Sequence, residues 1–338
     1  MFVARWDLDK TYLRTDFDTL RDLLRTLVER PDQKRTVPGA AALMRELADE
    51  GTEIHILSGS PEQLRGRLLQ KLELDGVRFK SLTLKPNLQN FLRLRLRALR
   101  GQIGYKLPAL VRRRCELPAQ EDHGGARIQE ALFGDDAESD ALVYSLYADV
   151  CAGEVRDERL SRLLRAAHCY EDDIADTVRM ASYLPPGKTV ERILIHLDRQ
   201  SAPANFDAFG PRVVPFYNYL QAAFVLFEDG RLTARAVLRI ALEMASRHHF
   251  DGTSLARSYL ELARRGHLDG RRLSELVAEY DQFQEGRRVV AASELATMVG
   301  ELAGYADDVA AGDRPTARIV DYEALVADHH PRRGKRRR

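Results

Sequence analysis

FVARWDLDKT, residues 2–11, places two carboxylates two residues apart, directly behind a short apolar run. An isolated D-x-D-x-T of this kind is most often an acidic surface turn. In the first half of this chain, however, short apolar runs alternate with amphipathic helical patterns. The alternation predicts a parallel sheet covered by helices, in which residues 2–6 form the first strand and Asp7 and Asp9 stand at its carboxyl end.

The same periodicity predicts the other elements of the chain. The further strands are predicted at residues 52–57, 77–84, 131–133 and 192–197. Helices are predicted at residues 17–30, 39–50 and 62–74, in an apolar segment at 214–227, and throughout the chain from about residue 236.

Polar side chains cluster where three of the predicted strands end. The clusters are Asp7 with Asp9, Ser58 with Ser60, and Asp135 with Asp136. Ligands of open α/β sheets bind at the carboxyl ends of the strands, which share one edge of the sheet. We therefore expect the three clusters to meet in a single site.

The composition is that of an ordinary globular chain. Its 338 residues, 44% of them hydrophobic, suffice for one large domain or two. The 52 basic and 51 acidic side chains nearly cancel, so any attraction to nucleic acid or membrane must come from local clusters. No apolar stretch reaches membrane-spanning length, and no signal-peptide pattern opens the sequence. The three cysteines lack C-x-x-C spacing, which indicates reduced thiols and a cytoplasmic protein.

Four motifs in order carry a resemblance to a known superfamily. They are Asp7-x-Asp9-x-Thr11, Ser58, Lys106 and Gly134-Asp135-Asp136-x-x-x-Asp140, and together they resemble the phosphatases of the haloacid dehalogenase superfamily. The resemblance covers residues 1–150 and extends toward 235. It implies an α/β, Rossmann-like haloacid dehalogenase fold, with a parallel sheet flanked by helices and a minimal cap. More locally, IHILSGSPEQL, YKLPAL and FGDDAESDALVYSLY are similar to signatures of the actin-patch phosphatidate phosphatase family.

The resemblance implies a phosphoric monoester hydrolase. Asp7 would attack phosphorus and form an aspartyl phosphate, and Asp9 would act as the general acid and base. Thr11 completes the first motif of the catalytic set. Ser58, helped by the Gly59 amide and by Ser60, would hold the transferring phosphoryl group at the start of the next helix. The plainer alternative for the serines is that they cap that helix.

The resemblance also implies a metal ion and a lysine. Two close carboxylates and a phosphate dianion need a hard cation, and oxygen ligands favour Mg²⁺. Its expected ligands are Asp7, the Asp9 backbone carbonyl and Asp135. GDDAESD fits the fourth motif either through Asp135 and Asp140 or with Asp136 as a ligand. The expected charge-offsetting lysine is Lys106, just ahead of an amphipathic helix, and Lys85 at a strand end is the second choice.

The partner expected from these motifs is a phosphorylated substrate. The short intervals between motifs leave no room for a large cap, so an open site would suit phosphatidate or another bulky, accessible phosphomonoester. Residues 90–102, NFLRLRLRALRGQ, place Arg93, Arg97 and Arg100 on one helical face. Such a face would make peripheral contact with an anionic lipid headgroup, although a solvated helix packed on the core explains it more plainly.

The predicted organisation has three parts. Residues 1–235 form the phosphatase domain with a helical insertion at about 150–188, residues 236–330 an all-helical domain, and residues 331–338 a basic disordered tail that could also touch RNA or lipid. His168, Asp172 and Asp176 recur at four-residue spacing, which indicates a charged outer helix face more than a metal site. The rival functions are an inactive binding or scaffold protein and a phosphatase of nucleic-acid ends, so nucleic acid remains a candidate partner.

Overall fold

The computed structural model describes residues 1–13, 36–85, 98–117, 128–137, 139–284, 292–305 and 319–328. Its strands are β1 (Phe2–Trp6), β2 (Glu53–Pro61), β3 (Ser81–Lys85), β4 (Gln129–Asp135), β5 (Val190–His196) and β6 (Val213–Phe216). The helices over the sheet and its connections are α1 (Ala40–Asp49), α2 (Arg65–Leu74), α3 (Ala98–Cys115), α4 (Asp140–Ala152), α5 (Asp157–Ala166), α6 (Glu171–Ser182) and α7 (Tyr219–Glu228). The helices that follow are α8 (Ala234–His248), α9 (Gly252–Arg264), α10 (Leu273–Gln284), α11 (Ala292–Tyr305) and α12 (Tyr322–Asp328).

The six strands of the described residues are all parallel and lie in the order β3-β2-β1-β4-β5-β6. This is the strand order of doubly wound, Rossmann-like sheets. The predicted α/β class with a parallel sheet is therefore confirmed. The order reverses between β1 and β4, and ligands of such sheets bind in the crevice at that point. Asp7 follows β1 and Asp135 ends β4, so both stand at the reversal.

The two faces of the sheet bury separate hydrophobic clusters. Alternate residues such as Trp6 and Phe133 face a cluster that includes α1, α2 and the helices α7 to α11. Leu132 and Ile193 face the other cluster, which includes α3 to α6 and α12. The first cluster continues across residue 235, and the predicted division into domains at that residue stays a prediction.

Several of the predicted elements differ from the structure, and β2 continues to Pro61 rather than ending at residue 57. β3 begins at Ser81 rather than Val77. The prediction of one helix over 214–227 is wrong, because β6 occupies its start and α7 begins only at Tyr219. β6 is an edge strand, where the missing N–H of Pro215 is tolerated. The Asn218 side chain then caps α7 by accepting hydrogen bonds from two backbone N–H groups.

Several predictions fall outside the described residues. These are the helix at 17–30, Arg93, Arg97 and the tail at 331–338; Arg100 belongs to the first turn of α3, and its membrane contact stays a prediction. The prediction of a minimal cap also falls partly on residues that the structure does not describe, namely 14–35 and 86–97. Within the described ranges, no helix combines the length and the apolar character needed to cross a bilayer. The cytoplasmic location stays a prediction.

Candidate active site

Three buried carboxylates meet at the point where the sheet reverses its strand order. Asp7 comes from the end of β1, Asp135 from the end of β4 and Asp140 from the start of α4. Each offers an oxygen within 4.8 Å of the oxygens of the other two. The Asp7 backbone N–H donates to the Phe133 carbonyl at 2.9 Å, which fixes the strand end beside β4. We call these three residues the acidic centre.

Lys106 bridges two members of the acidic centre. Its Nζ lies 2.5 Å from Asp140 Oδ1 and 3.1 Å from Asp7 Oδ1, and its side chain is fully buried. The expectation that Lys106 precedes a helix is wrong, because α3 begins at Ala98 and continues through Pro108. Proline favours the first turn of a helix, which made YKLP resemble a helix start. Lys106 is therefore held on a helix rather than on a loop.

Gly134 allows Asp140 to approach the end of β4. A Cβ on Gly134 would stand 2.4 Å from Asp140 Oδ2, so a side chain there would push the carboxylate away. The same oxygen accepts a hydrogen bond from the Asp135 backbone N–H at 3.2 Å. Asp135 Oδ1 in turn accepts from the Ala137 N–H at 2.6 Å. This local geometry corresponds to the Gly-Asp-x-x-x-x-Asp interpretation of the fourth motif.

Asp136 has a different environment from its neighbour. Its carboxylate accepts hydrogen bonds from the backbone N–H groups of Arg199 at 2.8 Å and Ser201 at 3.0 Å. These hydrogen bonds connect the loop after β5 to the loop after β4. Asp135 and Asp140 thus belong to the acidic centre, whereas Asp136 contacts the loop after β5.

The Asp9 carboxylate is held by the two serines of β2. Ser58 Oγ and Ser60 Oγ both donate to Asp9 Oδ2, at 3.0 Å and 2.9 Å, and the Ser60 N–H donates to Ser58 Oγ. The serines lie within β2, whose pairing with β3 is irregular between Leu57 and Pro61. The alternative of helix capping is wrong, because neither the 3-10 turn at Glu62–Leu64 nor α2 after it receives a capping hydrogen bond from a side chain. Gly59 likewise lies in the strand and not at a helix start.

Thr11 connects the two strand ends of the acidic centre. Its buried hydroxyl lies 3.5 Å from Asp7 Oδ2 and 3.5 Å from Asp135 Oδ2. The turn that carries Thr11 is closed by hydrogen bonds from the N–H groups of Tyr12 and Leu13 to the Leu8 carbonyl. Lys10 within this turn has a left-handed backbone, with φ of 61°.

Three aromatic or imidazole side chains support the site and were not predicted. His196 Nδ1 lies 3.1 Å from the Lys10 carbonyl and therefore donates to it, and the Tyr219 hydroxyl donates to the Thr11 carbonyl. Tyr105 on α3 donates to the Ser58 carbonyl at 3.0 Å. Burial raises the pKa of Tyr105 and of Tyr219, so both phenols remain donors near neutral pH. His196 ends β5, and the strand-end rule could have found it; nothing in the sequence singles out the two tyrosines.

The alternative metal cluster is not assembled. Among the described residues, the acidic centre is the group of carboxylate, imidazole or thiol ligands that could hold an ion, and His168, Asp172 and Asp176 form no such group. Asp172 is exposed on α6, and Asp176 pairs with Arg179 at 2.6 Å. Cys115, Cys151 and Cys169 all lie in the described ranges and form no disulfide.

The fold and the site define a doubly wound α/β protein with a lysine-bridged acidic centre at its topological switch point. No protein-family model matches this chain, and no curated protein or solved structure shows significant similarity to it.

Proposed function

We propose that this protein is a Mg²⁺-dependent phosphatase of the haloacid dehalogenase type, which hydrolyses an accessible phosphomonoester through an aspartyl phosphate. The observation that carries the proposal is the joining of Asp7, Lys106, Asp135 and Asp140 at the switch point, with the Asp9 carboxylate oriented beside them. The four ordered motifs of the sequence support the same chemistry.

The acidic centre suits a divalent cation. Asp7, Asp135 and Asp140 would hold it, since each offers a carboxylate oxygen and Mg²⁺ prefers oxygen ligands. Lys106 offsets one of the three formal negative charges, and a divalent ion would offset the other two. Bound Mg²⁺ supplies positive charge that stabilises the transferring phosphoryl group.

Asp7 is the proposed nucleophile. One of its carboxylate oxygens forms a bond to phosphorus while the bond from phosphorus to the ester oxygen breaks. Lys106, 3.1 Å from Asp7 Oδ1, fixes the carboxylate in place and attracts the anionic substrate. Burial strengthens this attraction because the effective dielectric constant of a protein interior is lower than that of water.

Asp9 is the proposed acid and base. In the first step its carboxyl proton passes to the leaving ester oxygen, which departs as the alcohol. In the second step its carboxylate takes a proton from water, whose oxygen attacks phosphorus and releases Asp7 and inorganic phosphate. Ser58 and Ser60 both donate to Asp9 Oδ2, which fixes the orientation of the carboxylate. The serines are thus proposed to orient Asp9 as well as to contact the phosphoryl group.

The decisive experiment measures turnover of p-nitrophenyl phosphate with Mg²⁺, with chelator, and in the Asp7→Asn variant. We expect turnover to be lost both with chelator and in Asp7→Asn. We also expect the quenched wild type to show an acid-stable mass increase of one phosphoryl group. Equal turnover in wild type and Asp7→Asn would exclude Asp7 as the nucleophile. A folded wild type without turnover on any phosphomonoester would favour the scaffold alternative.

The physiological substrate calls for a separate comparison. Phosphatidate in vesicles, a sugar phosphate, a nucleotide and oligonucleotides with 5′- or 3′-phosphates cover the candidates that the sequence motifs imply. The ratio of kcat/KM among them, measured with the same enzyme, ranks the lipid and nucleic-acid proposals directly.

A further inference from the structure

The turn that carries the proposed acid and base has an unfavourable backbone conformation at its centre. Lys10, between Asp9 and Thr11, is left-handed, with φ of 61°. A residue with a side chain rarely adopts this conformation, and it persists only where surrounding contacts hold it. The Lys10 N–H donates to the Leu13 carbonyl at 2.9 Å, which closes the turn from within. Contacts from other elements supply further restraint.

His196 contacts this turn from the end of β5. Its Nδ1 donates to the Lys10 carbonyl at 3.1 Å. Only 6% of the residue is exposed, and its ring packs against the rings of Phe216 and Tyr219, whose centroids each lie 5.5 Å away. Close packing against two rings restricts rotation of the imidazole. The direction of the hydrogen bond to the turn is therefore fixed.

The contacts of His196 extend to both sides of the acidic centre. Its backbone carbonyl accepts from the Asp136 N–H at 3.0 Å, which connects β5 to the loop after β4. Its ring stacks on Tyr219, whose hydroxyl donates to the Thr11 carbonyl. The imidazole and the phenol thus hold two successive carbonyls of the turn, those of Lys10 and Thr11.

Asp7 and Asp9 are restrained by different contacts. Asp7 is held by its N–H bond to β4 and by Lys106, which lies 3.1 Å from its Oδ1. The Asp9 carboxylate is bound by the two serines of β2, but its backbone belongs to the turn that His196 holds. Loss of the imidazole should therefore shift Asp9 more than Asp7.

We propose that His196 is a positioning residue for the general acid, acting through the Lys10 carbonyl, and that the enzyme depends on it most for esters whose alcohol is a weak acid. This inference rests on the proposed phosphatase function and deepens it. Such an alcohol leaves only if Asp9 transfers a proton to its oxygen as the bond to phosphorus breaks, whereas a strongly acidic phenol leaves as its anion. A displaced proton donor therefore slows the first class of ester and affects the second little.

The test compares phenyl phosphate with p-nitrophenyl phosphate, two substrates of similar shape whose leaving groups differ in acidity. The ratio kcat/KM reports the steps up to departure of the phenol, so it isolates the first proton transfer. His196→Leu should lower kcat/KM about 10- to 100-fold more for phenyl phosphate than for p-nitrophenyl phosphate. The value of kcat should fall with both, because Asp9 is also the base of the second step. An equal fall in kcat/KM with the two substrates, or no fall with either, would overturn the proposal.

Two further variants test the hydrogen bond itself. His196→Asn carries an N–H donor close to the place of Nδ1 and should restore most of the phenyl phosphate activity that His196→Leu loses. His55→Leu is the matched control, because it removes a ring-nitrogen hydrogen bond of 2.8 Å to Ser81 in the same sheet, level with Arg5. The control should leave the ratio between the two substrates unchanged. If His196→Asn were as selectively impaired as His196→Leu, the donor would not matter and the proposal would be wrong.

Hydrogen exchange separates this inference from the proposed function, because it needs no turnover. In His196→Leu the backbone N–H groups of Tyr12 and Leu13 should exchange about 2- to 10-fold faster, the factor that corresponds to one neutral hydrogen bond. The Asp7 N–H, bound to the Phe133 carbonyl, should keep its protection. NMR resolves these groups singly. Faster exchange confined to the turn would support the positioning role even if the wild type hydrolysed nothing, and unchanged exchange there would overturn it even in an active phosphatase.

Discussion

Two buried charged clusters are built from the same four elements, β1, β4, α3 and α4, at different depths of the sheet. The acidic centre with Lys106 lies at the carboxyl edge. The second, which we call the inner ion cluster, lies deeper along the strands and consists of Arg5, Glu130, Arg114 and Tyr147. Arg5 lies on β1, two residues before Asp7. Arg114 lies about two helical turns after Lys106 on α3, and Tyr147 lies about two turns after Asp140 on α4.

The two clusters differ in how their charges are matched. Glu130 accepts from Arg5 at 2.8 and 3.1 Å and from the Tyr147 hydroxyl at 2.8 Å, and Arg114 lies 3.4 Å away. One carboxylate is thus surrounded by donors. In the acidic centre, one lysine contacts two of three neighbouring carboxylates. Removing a buried carboxylate that is paired with basic side chains destabilises the fold, whereas carboxylates in excess over the basic side chain that they contact, at a strand edge, indicate a site for a cation.

The largest effect is expected beside the acidic centre, in the rate of reaction. Asp9→Asn keeps an oxygen that can accept from Ser58 and Ser60 but loses the proton-transfer function. General acid and base catalysis contributes about 10² to 10⁴ in rate, and we expect kcat to fall by at least that factor. Steady-state turnover of p-nitrophenyl phosphate measures it. Asp198→Asn, an exposed carboxylate just beyond β5, is the matched control, and near-normal turnover in Asp9→Asn would assign the acid to another residue.

Substitutions in the inner ion cluster should lower the stability of the protein rather than the rate of reaction. Glu130→Ala leaves Arg5 and Arg114 buried without their carboxylate, and breaking a buried pair in this way destabilises by about 3–5 kcal/mol. Denaturant unfolding of the two proteins measures the difference. Asp140→Asn should lose less stability, since Lys106 keeps Asp7 at 3.1 Å. If Asp140→Asn lost more stability than Glu130→Ala, our inference that the inner ion cluster serves stability and the acidic centre serves function would be wrong.

Lowering the pH should also show the contribution of the inner ion cluster to the free energy of unfolding. Burial by itself raises the pKa of Glu130, but Arg5 and Tyr147 outweigh burial and hold that pKa below its ordinary value. The stabilisation is therefore complete above the unfolded-state pKa of about 4.3 and is lost as the pH falls through the lower pKa of the folded state. We expect Glu130→Gln to show a flatter decline in unfolding free energy below that pH than wild type. Parallel declines would mean that Glu130 has no depressed pKa.

Mg²⁺ should stabilise the protein through the acidic centre. A ligand at about 100 times its dissociation constant adds about 2.7 kcal/mol to the free energy of unfolding. Asp135→Asn keeps an oxygen for the Ala137 N–H but removes a charge, and it should show a much smaller increase at the same Mg²⁺ concentration. Asp136→Asn should retain the increase, because that carboxylate binds the loop after β5. The reverse result would make Asp136 the ligand.

The smallest effects concern the two tyrosine hydroxyls. Tyr147→Phe removes a hydrogen bond to the charged Glu130, worth about 1.5–3 kcal/mol, whereas Tyr219→Phe removes one to the neutral Thr11 carbonyl, worth about 0.5–1.5 kcal/mol. The effects of the two substitutions on turnover should have the opposite order. Tyr219→Phe loosens the turn that carries Thr11 and should lower kcat, while Tyr147→Phe should leave kcat unchanged.

The sequence determined the parts of this protein that depend on local patterns. Short apolar runs ending in polar residues located β1, β2, β4 and β5, and they placed Asp7, Asp9 and Asp135 at strand ends; Ser58, expected just beyond a strand, lies within β2. Parallel strands carry their carboxyl ends to one edge, so the meeting of these residues followed from the fold class alone. The spacing of Asp135 and Asp140 was visible too, but the sequence left Asp136 as an equal alternative.

The tertiary structure alone decided how each side chain is used. Lys106 reaches the acidic centre from the middle of α3, and no local pattern reports which face of a helix meets a distant strand end. The direction of the Asp136 carboxylate depends on the loop after β5. The support from Tyr219 depends on α7 beginning after β6, in an apolar sequence that is equally compatible with a single helix. Periodicity specifies which residues are buried, whereas the pairing of buried charges depends on contacts between residues far apart in the chain.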